Sequence, residues 1–375
     1  MNRQNNDVRN GEIDFWKFIF SLLIILCHIS SFYWIPAKLS FKGASIGVEF
    51  FFLVSGYLMA KSSVKYKDNG AIGTDTIMFI RKKISNIFPY YIFAFILSFV
   101  AERSIMKIDL SVFMKDLGYS IWDLFFLRMS GLRGNNIDMV VGGSWYLSAM
   151  FISMLILFPL IRKNKDLFFN VIAPIIVIFT FGYFSQTRGD IKAALEFDGA
   201  IPLGLLRAVA VISLGCICFK ICERMKSRNY NLMGKVFLAL IECICFFAVF
   251  IHSYYLVRSQ IDFVNIILLA IAITIVFSQK SIISALFLKP IFAWLGSLSL
   301  ALYLNHVCWS RVLNYLNMGY APSYLFVLYL LLTFTSSFAC IYTINFLKEA
   351  IKIHYIRKEW EHVRILDNLL RWKER

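Results

Sequence analysis

The chain has 375 residues, 59% of them apolar and 17% charged, with a mean hydropathy of +0.67. Soluble domains carry about 25% charged residues, so a soluble globular fold is excluded, and 37 Phe against seven Pro argue against disorder. The net charge of +16 does not point to nucleic acid, because Lys and Arg gather in alternate loops, the positive-inside pattern of a multi-pass membrane protein.

Apolar windows of membrane-spanning length fall near 15–34, 44–61, 84–102, 142–161, 168–184, 200–221, 235–256, 261–279, 286–308 and 323–347. The expected fold is therefore an all-α integral membrane bundle of about ten helices. The first span is not expected to be a cleaved leader, since its apolar part is too long and no small-residue cleavage site follows it. It carries Lys17 and His28. Eleven steps of about 100° return nearly to the starting azimuth, so both side chains share a face, roughly 16 Å apart along the axis. Ionisable groups at such depth are expensive and point to function.

Helix 2 carries Glu49 near the same end as His28, and a carboxylate beside an imidazole would raise its basicity and orient it. Arg81, Lys82 and Lys83 lead into the third span, where three bases at a helix N-terminus would suit phosphates or simply anchor the membrane edge. The segment 119–127 is too short to span. Gly142-Gly143-Ser144-Trp145-Tyr146 opens the fourth span, Arg207 enters the sixth, and Tyr303, Asn305 and His306 end the ninth. Five helices thus bring polar groups to one layer. Each also has a plainer reading: Trp145, Tyr146 and Tyr303 as an aromatic belt, Arg207 as a snorkelling cation.

Loops on the side of the termini hold more than twice as many Lys and Arg as those opposite, which puts both termini in the cytosol. Residues 1–347 form one transmembrane domain, and 348–375 a basic amphipathic cytosolic tail lying along the membrane surface. Eight cysteines all fall in apolar runs without matching ligands. No metal site or disulfide framework is expected.

Taken together, these motifs resemble the acyltransferase 3 family of bacterial membrane O-acyltransferases. The resemblance rests on Lys17 and His28 with ten residues between them, on Gly47-Val48-Glu49-Phe50-Phe51-Phe52-Leu53-Val54-Ser55-Gly56, on the basic stretch Arg81–Pro89, on Trp145-Tyr146-Leu147 and on Tyr303-Leu304-Asn305-His306. The order matches the family from residue 14 to about 306. Two departures stand out: lysine replaces the usual arginine in helix 1, losing its planar fork, and Asn86 stands where many members carry a further arginine.

The resemblance implies a multi-pass enzyme of the bacterial cell membrane. Such an enzyme moves an acyl group, usually acetyl, from cytosolic acyl-coenzyme A to a hydroxyl of a cell-envelope polysaccharide or lipid-linked sugar. Acetyl-coenzyme A would be a co-substrate and no cofactor would be bound permanently. Lys17, Arg81, Lys82 and Lys83 would hold the coenzyme phosphates. His28, oriented by Glu49, would act as base or as a transient acyl carrier, and Trp145, Arg207, Tyr303 and His306 would line the acceptor side. Partners would be acyl-coenzyme A, the carbohydrate, the lipid bilayer and proteins of polysaccharide synthesis, with no nucleic acid. A transporter or flippase of sugar intermediates is the alternative, although no repeat relates residues 15–184 to 200–347.

Overall fold

The structure, a computed structural model, describes residues 9–29, 41–66, 70–132, 140–256, 259–316 and 321–373. Helices dominate because a chain this apolar can satisfy its backbone in a bilayer only internally. In order they are α1 (Gly11–Ile29), α2 (Gly47–Ser63), α3 (Ile72–Met106), α4 (Leu110–Tyr119), α5 (Ile121–Leu124), α6 (Ser144–Lys163), α7 (Lys165–Leu167), α8 (Ala173–Thr187), α9 (Leu203–Lys226), α10 (Leu232–Tyr255), α11 (Ile261–Ser278), α12 (Pro290–Leu316) and α13 (Pro322–Lys373). A π-turn over Phe168–Ile172 joins α7 to α8. One small hairpin pairs Phe197–Asp198 with Ile201–Pro202.

Helix starts follow local chemistry. Asn164 and Asn231 cap α7 and α10 by accepting from the amides of Leu167 and Gly234, both at 2.9 Å. Pro290 and Pro322 open α12 and α13, where a missing N–H leaves no backbone bond unmade.

Among the described residues nine helices are long and apolar enough to cross a membrane. They correspond to the second through tenth expected spans. The first expected span forms α1, whose opening turns carry Glu12, Asp14 and Lys17, and its residues 30–34 lie outside the described residues. The 119–127 segment folds as the end of α4 and the four-residue α5, too short to span.

Two elements depart from expectation. Helix α3 begins at Ile72, twelve residues before the expected span, and Pro89 sits inside it. Its opening turns are half polar, so an apolar window misses them. Helix α13 runs unbroken from its span through Lys373, across the expected start of the tail at 348. No Gly or Pro follows Pro322 to stop it. The amphipathic face expected of that tail rests largely on side chains outside the described residues.

The bundle centres on α1, α2, α9 and α12. Helices α2 and α9 cross at contact distance: a Cβ at Gly56 would lie 2.1 Å from the Ile212 carbonyl oxygen, and one at Gly215 would lie 2.2 Å from that of Leu53. Small residues let membrane helices approach this closely. Between α1 and α12, Ser21 Oγ donates to the Ser299 carbonyl at 3.0 Å. Phe20 and Phe50 stack with ring centres 4.2 Å apart, and both are fully buried.

Candidate active site

His28 ends α1 half-buried, and two partners fix its ring. Its Nδ1 lies 2.9 Å from the Ile24 carbonyl oxygen and 3.3 Å from His306 Nε2. His306, on α12, places its own Nδ1 2.8 Å from the Tyr303 carbonyl oxygen. A carbonyl accepts only from N–H, so this network assigns a proton to Nδ1 of each ring. His306 Nε2 then presents a lone pair to His28, and His28 Nε2 is left as the basic nitrogen. The two rings meet edge to face at 4.7 Å.

Glu49 does not pair with His28 as expected. Its carboxylate, fully buried on α2, accepts from Nε of Arg207 on α9 at 2.5 Å, and the Arg207 Nη2 group also contacts it. The expected Glu49–His28 pairing is therefore replaced by Glu49–Arg207, and the imidazole that orients His28 belongs to His306. The reason is azimuth: His28 and Glu49 share a depth, but Glu49 sits on the face of α2 that packs on α9. A buried guanidinium needs such a counterion. Arg207 also donates from Nη1 to the Ala193 carbonyl at 2.8 Å and lies over the Trp145 ring at 5.4 Å.

These groups converge on a cavity of about 220 Å³ lined by His28, Trp145, Lys192, Arg207, Tyr303 and His306. Gly142 and Gly143 at the start of α6 make the wall thin: a Cβ on Gly143 would lie 2.6 Å from the Tyr303 ring. Asp123 fixes that start, accepting from the Val140 amide at 3.0 Å and the Ser144 hydroxyl at 3.4 Å.

A second, larger cavity of about 540 Å³ lies at the other end of the same helices. Arg9, Lys17, Lys61 and Lys226 line it, with Asp14 and Tyr57. Asp14 holds Lys17 Nζ at 3.1 Å and also accepts from Arg9. Lys226 donates to the Tyr57 hydroxyl at 3.3 Å. Between the two cavities α1 presents Phe20 and α2 presents Phe50, the stacked pair. No curated protein and no solved structure matches the chain. The family model for the acyltransferase domain, Acyl_transf_3, matches residues 10–344.

The chain belongs to the acyltransferase 3 family.

The match covers nearly the whole chain, from the first turn of α1 to the middle of α13, and makes the protein a membrane acyltransferase. Within this enzyme His28, Trp145, Arg207, Tyr303 and His306 come together around the smaller cavity, with Glu49 one bond behind Arg207. Lys17 lies at the larger one. Arg81, Lys82 and Lys83 do not line it: they sit in the third turn of α3, Arg81 and Lys82 exposed. Only the first four amides of a helix are free, so the backbone donors expected for phosphates there are already used within α3. Lys83 remains an electrostatic neighbour of Lys17. Arg9, Lys61 and Lys226 read in the sequence as ordinary positive-inside residues. Lys192 carried no sequence signal, being in a loop without periodicity.

Proposed function

We propose that the protein is a multi-pass O-acyltransferase of the bacterial cytoplasmic membrane. In this reading it moves an acyl group, acetyl in the simplest case, from cytosolic acyl-coenzyme A to a hydroxyl of a cell-envelope polysaccharide or lipid-linked sugar. The observation that carries the reading is the His28–His306 pair in a cavity at one end of the bundle, opposite a basic cavity at the other. Four cations around 540 Å³ suit the phosphates of a coenzyme A nucleotide, and Lys17 to His28 is roughly 16 Å along α1, a span that a pantetheine arm can cover.

The chemistry is direct. His28 Nε2 takes the proton of the acceptor hydroxyl while its oxygen attacks the thioester carbonyl. The C–S bond then breaks, and the departing coenzyme A thiolate takes that proton back from the imidazolium. The Ile24 carbonyl and His306 Nε2, both accepting at Nδ1, hold the ring in the tautomer that leaves Nε2 free. Attack by Nε2 itself, with a short-lived acyl-imidazole, uses the same geometry.

The test uses purified protein in lipid nanodiscs with radiolabelled acetyl-coenzyme A and an extract of envelope carbohydrate. Labelled, base-labile carbohydrate is expected from the wild type and none from His28→Ala, with acetyl-coenzyme A binding retained in both. Full turnover by His28→Ala, or no binding of acetyl-coenzyme A by the wild type, would overturn the reading.

A further inference from the structure

The connection between α8 and α9 is a long, largely irregular stretch that runs into the bundle beside the smaller cavity. Thr187 ends α8 and Leu203 begins α9. Between them, Ile191 and Ala193 are fully buried, and Lys192 is 5% exposed. Irregular backbone at membrane depth is tolerated where it is buried in protein or lines a cavity, and both conditions hold, since Lys192 and Ala194 line the cavity that contains His28 and His306.

Three attachments hold the stretch in place. Asp190 Oδ1 accepts from the Lys192 amide at 2.8 Å, Arg207 donates to the Ala193 carbonyl at 2.8 Å, and Asp262 at the start of α11 holds Lys192 Nζ at 2.9 Å. Gly204 lets α9 approach it: a Cβ there would lie 2.2 Å from the Ala194 carbonyl oxygen. An ion pair this deeply buried earns little stability against an apolar pair of the same volume. Its position on the cavity wall gives the lysine another use. The two cations that line the cavity, Lys192 and Arg207, are each matched by a carboxylate, Asp262 and Glu49, and Asp190 stands beside Lys192 as a further one, so the wall offers fixed donors without an excess of positive charge to attract an anionic acceptor.

We propose that Lys192, held by Asp262, is the specificity-determining residue for the acceptor, and that the acceptor is an uncharged, hydroxyl-rich ring. The ammonium donates to a ring substituent next to the reacting hydroxyl and thereby sets which hydroxyl reaches His28. This rests on the proposed transfer to carbohydrate and adds a residue that neither the motifs nor the family match singles out.

The test compares cells expressing the wild type, Lys192→Met/Asp262→Leu and Lys192→Arg. The double variant removes both charges together and leaves no unpaired ion. O-acyl groups on envelope carbohydrate are counted and located by proton NMR, and acetyl-coenzyme A binding is measured on each purified protein. The double variant is expected to lose acylation roughly tenfold or to spread it over neighbouring hydroxyls, the scale of one charge-assisted hydrogen bond, with binding unchanged. Lys192→Arg, which keeps the pair with Asp262 but moves the donors, is expected to fold and to redistribute the acylated positions. It decides the matter if the double variant is not monodisperse. Wild-type amount and position in either folded variant would overturn this proposal alone. A wild type that acylates no carbohydrate would overturn the proposed function as well, and acylation confined to an acidic sugar would overturn the acceptor class.

Discussion

His306 shows how a residue's place in the bundle changes its reading. At the level of sequence it belongs to a polar layer on the acceptor side, whereas its ring in fact touches His28 and, together with the Ile24 carbonyl, leaves Nε2 of His28 as the basic nitrogen. His306→Ala is expected to lower kcat by about 10²-fold, the lower end of what a positioned base contributes, with little change in KM for acetyl-coenzyme A. His306→Gln, which can still present an acceptor to His28, is expected to recover part of that loss. Steady-state kinetics on the purified variants separates the two. Glu49 and Arg207 make the complementary prediction. Removing one partner of a buried pair costs about 3–5 kcal/mol, so Glu49→Ala is expected to lower the unfolding temperature sharply. Glu49→Leu/Arg207→Met together, which leave no unpaired polar side chain there, are expected to recover most of it, as thermal unfolding in detergent will show. The sequence made the depth of these groups legible, because depth follows from counting residues along a span. Their partners were not legible: a shared depth says nothing about which way each helix is turned.

Among the elements, α3 explains the largest departure from expectation. Apolar windows find the part of a helix that faces lipid, and the first three turns of α3 are too mixed to register, so Arg81, Lys82 and Lys83 looked like a helix start. Helix pairing left a different trace. Gly56 and Gly215 sit where α2 and α9 nearly touch, while Gly73 in α3 faces open space with nothing within 4 Å of an added Cβ. Gly56→Leu is therefore expected to abolish folded protein, measured as monodisperse yield. Gly73→Ala is expected to stabilise by about 0.5–1 kcal/mol, the ordinary gain of Ala over Gly within a helix. Indifference at Gly56 would mean that the two helices do not cross as described. The α8–α9 connection is the opposite case. It has no period, and nothing in the sequence distinguishes Lys192 from a surface lysine; only the tertiary fold buries it.

At the scale of the whole molecule, the class was legible throughout, since hydropathy alone requires a multi-pass bundle and the spacing of motifs along 300 residues carried the resemblance that the family match upholds. The smaller cavity was legible in part, since His28, Trp145, Arg207, Tyr303 and His306 were expected in one layer and do line it; Lys192, and the larger cavity apart from Lys17, were not, because those residues lie far apart in the chain without a shared pattern. The separation of the two cavities makes a prediction of its own. Lys61→Gln/Lys226→Gln is expected to weaken acetyl-coenzyme A binding by roughly tenfold and to flatten its salt dependence, as loss of two phosphate-facing charges would. Arg81→Gln/Lys82→Gln, away from that cavity, is expected to leave the affinity within about twofold, since exposed charges are well screened. Isothermal titration at two ionic strengths distinguishes them; equal losses in both variants would restore α3 to the donor site.

The Phe20–Phe50 stack has a consequence for the membrane itself. Water and ions entering one cavity meet this apolar stack before they can reach the other, whereas an acyl-pantetheine arm reaching from Lys17 to His28 would have to push the two rings aside. Emptying either ring's place, as in Phe50→Ala, would leave a gap in that stack. Measured in sealed vesicles, such a variant would turn a tight wall into a path for protons, and the wild type would hold a pH gradient that the variant dissipates.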